Sequence, residues 1–201
     1  MSKKLVKFIL DGKEVSAKAD ETLWLVSKRE GKTIPHLCHC DEPGYRSDGN
    51  CRACMVEIEG EKVLAASCIR KPTEGMNVNT DSSKSISARK TIFELLSADQ
   101  PSRDQHPDPD SKFWQWADKM NIEVGSYPKI RNIARDVSHK AMHVNLDACI
   151  NCNLCVRACR EVQVNDVIGM SYRGNKSKIT FDFDDKMGDS SCVACGECVQ
   201  V

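Results

Sequence analysis

The sequence contains few of the residues that build a large hydrophobic core. Aromatic residues make up only 5% of the 201 residues, and no apolar run approaches the length needed to span a membrane. Basic and acidic residues balance at 29 each, so we expect no nucleic-acid partner and no membrane insertion. Small cores that are pinned by bound metal fit this composition better than one large packed core.

Motifs for substrate chemistry are also missing. The sequence has no Gly-x-Gly-x-x-Gly run, no phosphate-binding loop and no nucleophile–base set, so this stretch is not expected to convert a substrate by itself. The N-terminal residues contain no signal-peptide core and no twin arginine, from which we predict a cytoplasmic location. Disulfides need an oxidising compartment, so this prediction argues against them.

Cysteine is what the sequence has in excess, with twelve in all. The most diagnostic group begins at Cys149 and continues with Cys152, Cys155 and Cys159, at the spacing C-x2-C-x2-C-x3-C. This is the spacing of a bacterial-type [4Fe–4S] ligand run, in which the fourth cysteine ligates the other of two clusters. Paired C-x2-C units can also bind zinc, but a zinc site does not call for the third and fourth cysteines.

A partner motif lies at the C-terminal end of the sequence, where Cys192, Cys195 and Cys198 repeat the two-residue gaps. The pairing rule predicts one [4Fe–4S] cluster on Cys159 and these three cysteines. The second [4Fe–4S] cluster then has only three ligands, which are Cys149, Cys152 and Cys155. We expect the sequence to be part of a longer protein that supplies the fourth ligand. The alternative is a short protein whose second cluster takes an outside ligand or has only three irons.

The N-terminal residues predict a β-grasp fold. The Asp11-Gly12 pair is a tight-turn signal, Asp20 or Thr22 can cap a helix, and Gly31 can end it. The predicted elements are, in order, strand 4–10, strand 13–18, a helix from Leu23, and strands 55–59 and 62–66.

A third cysteine group falls within this frame. Cys38, Cys51, Cys54 and Cys68 have the spacing C-x12-C-x2-C-x13-C, whose first gap is longer than that of plant-type [2Fe–2S] ferredoxins. We predict a [2Fe–2S] cluster here, with a zinc site or free thiols as the alternative. Cys40 is a surplus cysteine that competes with Cys38 as a ligand.

The remaining residues predict an α+β protein in three parts. These are a β-grasp [2Fe–2S] ferredoxin domain over 1–80, a helical connector over 81–141, and a ferredoxin-like domain with two [4Fe–4S] clusters over 142–201, truncated at its end. The connector is expected to hold a helix over 83–97 and another over 112–120. The apolar sides of these helices are expected to be Ile86, Ile92, Phe93 and Leu96 in the first, and Phe113, Trp114, Trp116, Ala117 and Met120 in the second.

Three runs of sequence carry a family resemblance. Ile34-Pro35-His36-Leu37-Cys38, Asp-Gly-Asn-Cys-Arg-Ala-Cys-Met-Val-Glu over 48–57, and Ala66-Ser67-Cys68 resemble N-terminal domains of three oxidoreductase families. These are the large subunit of respiratory complex I, iron–iron hydrogenases, and the α subunit of NAD-dependent molybdenum or tungsten formate dehydrogenases. The sequence over 48–57 most resembles that of the formate dehydrogenases. In all of them the cysteine after Ile-Pro-x-Leu is a ligand, which implies Cys38 rather than Cys40.

The connector differs from the corresponding region of two of these families. Complex I and many hydrogenases place a histidine and three cysteines in this region, which bind a further [4Fe–4S] cluster. This sequence has no cysteine between Cys68 and Cys149. His106 alone cannot hold a cubane, so we predict no cluster in the connector.

The resemblance implies an electron-transfer segment. In such formate dehydrogenases, electrons pass from a molybdenum or tungsten bis-pterin centre that oxidises formate, across the clusters, to flavin/NAD-binding diaphorase subunits with iron–sulfur centres of their own. The bis-pterin domain is expected beyond Val201. One alternative is a stand-alone iron–sulfur subunit of an NAD-linked hydrogenase or diaphorase complex. The other is a zinc-bound structural or assembly protein.

Overall fold

The structure is a computed structural model, which describes residues 5–18 and 20–201. It begins with the predicted hairpin, in which β1 (Leu5–Leu10) and β2 (Lys13–Lys18) pair antiparallel. Asp11 and Gly12 both have positive φ, at 49° and 80°, as the twist of a two-residue hairpin turn requires. Alternate side chains of both strands are buried, so the hairpin presents one apolar face to a core.

A mixed five-stranded sheet is built on this hairpin. The other strands are β3 (Met55–Ile58), β4 (Ala65–Ala66) and β5 (Asn77–Asn79), in the order β2-β1-β5-β3-β4. β5 pairs parallel with β1 and antiparallel with β3. This order and the helix between the hairpin and β3 confirm the predicted α+β ferredoxin fold of the N-terminal region.

Helix α1 (Leu23–Arg29) packs its apolar side into the core of this sheet. Its N-cap is Thr22, whose hydroxyl oxygen accepts a hydrogen bond from the Leu25 amide at 3.3 Å. Trp24 is buried and donates its indole N–H to the Ile34 carbonyl at 3.2 Å, so the chain leading to the first cysteine is tied to the helix. Gly31 follows the helix with a φ of 78°, as predicted for its end.

The chain forms two compact units. The first contains the described residues up to Leu37 together with Ser47–Phe93, and the second contains Cys38–Arg46 together with Glu94–Val201. The chain therefore passes into the second unit at Cys38 and returns to the first unit at Ser47. The boundaries that we predicted at 80 and 141 remain sequence-based predictions.

Helix α2 (Ser83–Ala98) confirms Phe93 on the buried side of the first connector helix and corrects the prediction for Ile86. Ile86 is 41% exposed, whereas the buried line runs through Ser85, Arg89, Phe93 and Ser97 at intervals of four residues. Arg89 donates hydrogen bonds to the carbonyl oxygens of Met55 at 2.9 Å and Thr80 at 2.6 Å. The helix is thus held by a buried polar side chain, which a search for apolar periodicity cannot detect.

Replacing Arg89 with leucine is expected to loosen β3 and the end of β5. The substitution leaves two buried carbonyl oxygens without a donor, at a cost of about 3 kcal/mol, which is roughly a hundredfold in a local opening equilibrium. Hydrogen exchange should show faster exchange of the amides over 55–58 and 77–80. The matched control is the exposed neighbour, as Lys90→Leu, which should exchange as the wild type. Equal exchange in both variants would contradict the role of Arg89.

The second unit contains α3 (Lys112–Lys119), a β-hairpin and two short helices. Phe113, Trp114, Trp116 and Ala117 of α3 are buried, as predicted. The hairpin pairs β6 (Ile168–Ser171) with β7 (Lys178–Phe181). The unit also contains α4 (Leu154–Arg157), a π-helical turn over Ala158–Val162, α5 (Glu197–Gln200) and several short 3-10 turns. Among the described residues no helix is both long and apolar enough to span a bilayer.

Candidate metal centres

The second unit gathers four of the cysteines around one small cavity. Cys159, Cys192, Cys195 and Cys198 line it, together with the aliphatic side chains of Val167 and Ile168. Cys159 comes from the π-helical turn and Cys198 from α5, whereas the other two lie on the loop between β7 and α5. These are the four cysteines that the spacing assigns to one [4Fe–4S] cluster. The structure brings them together, and their ligation of iron remains a prediction.

Cys149, Cys152 and Cys155 form a second group in the same unit. Cys149 and Cys155 line an apolar cavity that Cys198 also reaches. Burial is the main reason why the pKa of all three thiols is raised, to about 11 for Cys152. The neighbouring thiols Cys149 and Cys152 raise the pKa of Cys155 further. Because the thiolate is the metal ligand, metal binding here must displace three protons.

The two motifs repeat the same backbone conformation. Asn151 and Asn153 have φ of 53° and 62°, and the corresponding residues Ala194 and Gly196 have φ of 56° and 79°. In each motif the amide of the first such residue points at the first sulfur, from Asn151 to Cys149 Sγ at 3.3 Å and from Ala194 to Cys192 Sγ at 3.4 Å. Amide hydrogen bonds to sulfur are one of the ways in which a protein tunes a cluster potential.

This backbone repeat could have been found in part from the sequence. Asn and Gly tolerate the left-handed conformation, so Asn151, Asn153 and Gly196 are a readable signal. Ala194 offers no such signal, because a residue with a Cβ rarely adopts positive φ.

The four predicted [2Fe–2S] ligands are divided between the two units. Cys51, Cys54 and Cys68 lie in the first unit and Cys38 lies in the second. Cys54 and Cys68 are buried, and the Cys54 carbonyl accepts hydrogen bonds from both the amide and the hydroxyl of Ser67, at 3.1 and 2.8 Å. The common ligation of the four cysteines therefore remains a prediction.

The loop before Cys51 is held tight by a glycine. Gly49 has a φ of 66°, and a Cβ at this position would lie 2.8 Å from Ile69 Cδ1. Arg52, directly after Cys51, also has positive φ, at 60°. The loop thus resembles the four-iron motifs in placing left-handed residues beside its cysteines.

Two buried arginines of the second unit were not identified from the sequence. Arg131 donates to the Cys149 carbonyl at 2.7 Å and also to the carbonyl oxygens of Leu146 and Ser177. Arg157, between the last two cysteines of the first motif, donates to the carbonyl oxygens of Cys38 and Arg46. No sequence pattern marks either residue, because their acceptors are backbone groups far away in the chain.

The remaining candidates are a histidine and a thiol. His106 accepts a hydrogen bond on Nδ1 from the Asp108 amide at 3.0 Å, and its Nε2 lies 3.2 Å from Gln100 Oε1. Cys40 is half-buried, and the pKa of the nearby Tyr45 phenol is raised by burial and by Glu197, with a smaller contribution from Cys40. The Tyr45 hydroxyl donates to Glu197 Oε1 at 2.8 Å.

The donor chemistry of these sites fits iron–sulfur clusters. All twelve cysteines are free thiols, and neither histidine nor carboxylate lines the cavity of Cys159, Cys192, Cys195 and Cys198 in the described chain. Among the described residues no three His, Cys, Asp or Glu side chains surround a single ion. A [4Fe–4S] cluster takes four thiolate ligands, so a cavity that is lined by four cysteines is suited to it.

Two protein families match the two ends of the chain. Residues 3–83 match the family described as "2Fe-2S iron-sulfur cluster binding domain" and residues 148–201 match "4Fe-4S dicluster domain". The chain therefore contains one [2Fe–2S] domain followed by one [4Fe–4S] dicluster domain, as the cysteine spacing predicted. The cofactors that we predicted from the sequence agree with both families.

Curated relatives match nearly the whole chain. It is 28% identical over 204 residues to the NADP-reducing hydrogenase subunit HndD of Solidesulfovibrio fructosivorans, covering 98% of this chain and 35% of the relative. It is 31% identical over 182 residues to the mitochondrial NADH-ubiquinone oxidoreductase 78 kDa subunit of Candida albicans, covering 87% and 25%. It is 25% identical over 196 residues to the "Putative formate dehydrogenase SH0748" of Staphylococcus haemolyticus, covering 96% and 19%.

A solved structure matches the fold of the whole chain. A chain of the NAD+-reducing [NiFe]-hydrogenase in the H2-reduced state superposes with a TM-score of 0.80 and 25% sequence identity, covering 94% of this chain and 80% of the other. The chain thus spans most of that structure, but only about a quarter to a third of the first two curated relatives named above.

Proposed function

We propose that these residues form an iron–sulfur electron-transfer module of an NAD-linked oxidoreductase. The observation that carries the proposal is the meeting of Cys159 with Cys192, Cys195 and Cys198 around one cavity, beside the group of Cys149 and Cys155. Adjacent cavities that are lined by thiols and aliphatic side chains suit two neighbouring one-electron centres, because the thiols supply the ligands and the amides stabilise the sulfur charge.

The chain's own residues have distinct roles in this proposal. Cys38, Cys51, Cys54 and Cys68 hold the [2Fe–2S] cluster. Cys159 and the three cysteines of the last motif hold one [4Fe–4S] cluster, and the other takes Cys149, Cys152 and Cys155 with a fourth ligand from outside the described set. The clusters supply one-electron redox chemistry when bound. The amides of Asn151 and Ala194 stabilise negative charge on the sulfur atoms that they face.

The finer proposal concerns the parent enzyme, for which we favour a formate dehydrogenase α subunit. The amino-acid sequence around Cys51 and Cys54 supports this proposal, as does the similarity to the Staphylococcus haemolyticus protein. In a formate dehydrogenase of this kind, the module would pass electrons between a molybdopterin formate-oxidising centre and a flavin/NAD subunit. The second candidate is an electron-transfer subunit of an NAD-linked hydrogenase. The superposition on a chain of the NAD+-reducing hydrogenase, 80% of which is covered, favours that candidate.

The two candidates differ in the reductant that reaches the clusters. The complex should be purified anaerobically from its native source and incubated separately with formate, hydrogen and NADH, with EPR recorded after each. Formate-dependent cluster signals together with molybdenum or tungsten support the first candidate, whereas hydrogen-dependent signals together with nickel support the second. Reduction by neither substrate would contradict both candidates. A preparation with zinc but no acid-labile sulfide would contradict the electron-transfer proposal itself.

Replacing Cys38 with serine is expected to abolish most of the [2Fe–2S] EPR signal, whereas Cys40→Ser should retain it. Both substitutions remove one sulfur from the same loop, so the second is a matched control for the first. Only Cys38 is a ligand in the proposed set, and serine oxygen is a poor replacement for thiolate. The measurement is EPR of the reduced protein together with iron and sulfide content. The reverse result would move the ligand from Cys38 to Cys40.

A further inference from the structure

Arg157 is the most deeply buried charged residue in the second unit. Its side chain lies in the first four-iron motif, between Cys155 and Cys159, and only 2% of the residue is exposed. Burying a guanidinium costs desolvation free energy unless hydrogen-bond acceptors satisfy its N–H groups, so the acceptors of Arg157 determine what its burial achieves. Those acceptors are the backbone carbonyl oxygens of Cys38 and Arg46, which are the two ends of the segment 38–46.

Other contacts also attach this segment to the four-iron motifs. Arg46 forms an ion pair with Glu161 at 2.7 Å, and Tyr45 donates to Glu197 at 2.8 Å. The Arg46 side chain is 64% exposed, so the Arg46–Glu161 ion pair contributes little free energy to the attachment of this segment. Charge-assisted bonds in a buried site are stronger, which makes Arg157 the principal attachment at the Cys38 end.

The charge of Arg157 reaches sulfur as well as backbone. The carbonyl acceptors carry no net charge, and the guanidinium also lies within electrostatic range of the Cys152 side chain. Cys38 in turn interacts electrostatically with Cys152. Cys38, Arg157 and Cys152 are therefore neighbours within the second unit, and the guanidinium is hydrogen-bonded to the Cys38 carbonyl oxygen.

We propose that Arg157 is a positioning residue for the [2Fe–2S] centre, which holds the backbone of Cys38 from within the first four-iron motif and keeps a positive charge beside it. The inference rests on the proposed ligation of the [2Fe–2S] cluster by Cys38. A cation near a cluster favours the reduced state, which carries one more negative charge. Arg157 thereby raises the [2Fe–2S] midpoint potential.

The test compares Arg157→Gln and Arg157→Lys in the full chain, assembled and purified anaerobically. Glutamine removes the charge, whereas lysine keeps it but cannot span both carbonyl oxygens as a planar guanidinium does. The readouts are iron and sulfide content, the line shape of the [2Fe–2S] EPR signal, and its midpoint potential in a redox titration. The matched control is Arg160→Gln on the following turn, where the arginine is exposed and pairs with Asp166.

Arg157→Gln is expected to shift the [2Fe–2S] midpoint to more negative potential and to lower its occupancy, with the [4Fe–4S] signal of Cys159 retained. Arg157→Lys should keep the occupancy but change the line shape, because one carbonyl loses its donor. Arg160→Gln should match the wild type in every readout. If Arg157→Gln fails to fold, the lysine variant decides. An unchanged line shape and potential in Arg157→Lys would overturn the proposal.

The Cys38→Ser variant separates this inference from the proposed function. If Cys38→Ser retains the [2Fe–2S] signal, the proposed ligand set is wrong. If Cys38→Ser loses that signal while Arg157→Gln titrates as the wild type, the ligand set stands and the role of Arg157 falls. A purely structural role for Arg157 predicts less of every cluster with unchanged potentials, which would also overturn the proposal.

Discussion

Replacing Cys159 with alanine is expected to remove one [4Fe–4S] cluster, about four irons per chain, and to leave the [2Fe–2S] signal in place. Cys159 is buried at the cavity that the last three cysteines line, and its sulfur accepts a hydrogen bond from the Val167 amide at 3.4 Å. Alanine cannot supply a thiolate, so the cluster loses one of its four proposed ligands. Iron analysis and low-temperature EPR measure the outcome.

Double variants test the pairing of ligands directly. If Cys159 and Cys195 bind the same cluster, the double alanine variant should lose no more iron than either single variant, because residues that act on one site are not additive. Combining Cys159→Ala with Cys152→Ala should lose more iron than Cys159→Ala alone. Cys40→Ala controls for the removal of a thiol that is not a proposed ligand. Additive loss with Cys195 and no further loss with Cys152 would reverse the pairing.

Replacing Gly188 with alanine is expected to destabilise the second unit by about 3 kcal/mol, since it forces two backbone segments apart. A Cβ at this position would lie 2.4 Å from the Ser138 carbonyl oxygen, and a backbone atom cannot move aside as the end of a side chain can. Two hydrogen bonds, each 2.7 Å long, hold the same two backbone segments together. They run from the Gly188 amide to Ser138 Oγ and from the Met187 amide to Asp136 Oδ2.

The expected readout of Gly188→Ala is a thermal midpoint lower by roughly 10 °C, with earlier loss of the cluster absorbance. Gly169→Ala is the matched control, because its Cβ would meet only Thr180 Oγ1 at 3.9 Å and its φ is not positive. That variant should unfold at or slightly above the wild-type temperature, since alanine restricts the unfolded chain. Equal midpoints for the two variants would show that the close approach at Gly188 does not constrain the fold.

Local features of the sequence predicted most of the regular structure and the presence of a [2Fe–2S] domain and a [4Fe–4S] dicluster domain. The hairpin turn at Asp11 and Gly12, the cap at Thr22 and the left-handed stop at Gly31 are properties of one to four adjacent residues. The gaps of two and three residues within each cysteine motif are equally local, because they limit where neighbouring thiols can point. The pairing of Cys159 with the last motif also followed from spacing, and the structure places these cysteines around one cavity.

Contacts between distant residues were decided only by the tertiary structure. The buried side of α2 runs through Arg89 rather than Ile86, because the carbonyl oxygens of Met55 in β3 and of Thr80 after β5 accept its hydrogen bonds. Arg157 similarly finds its acceptors at Cys38 and Arg46, more than a hundred residues earlier in the chain. By itself the sequence determined which residues can bind metal, since ligand chemistry and spacing are local. Only the fold decided which buried charges support them, because a backbone carbonyl has no signature in the amino-acid sequence.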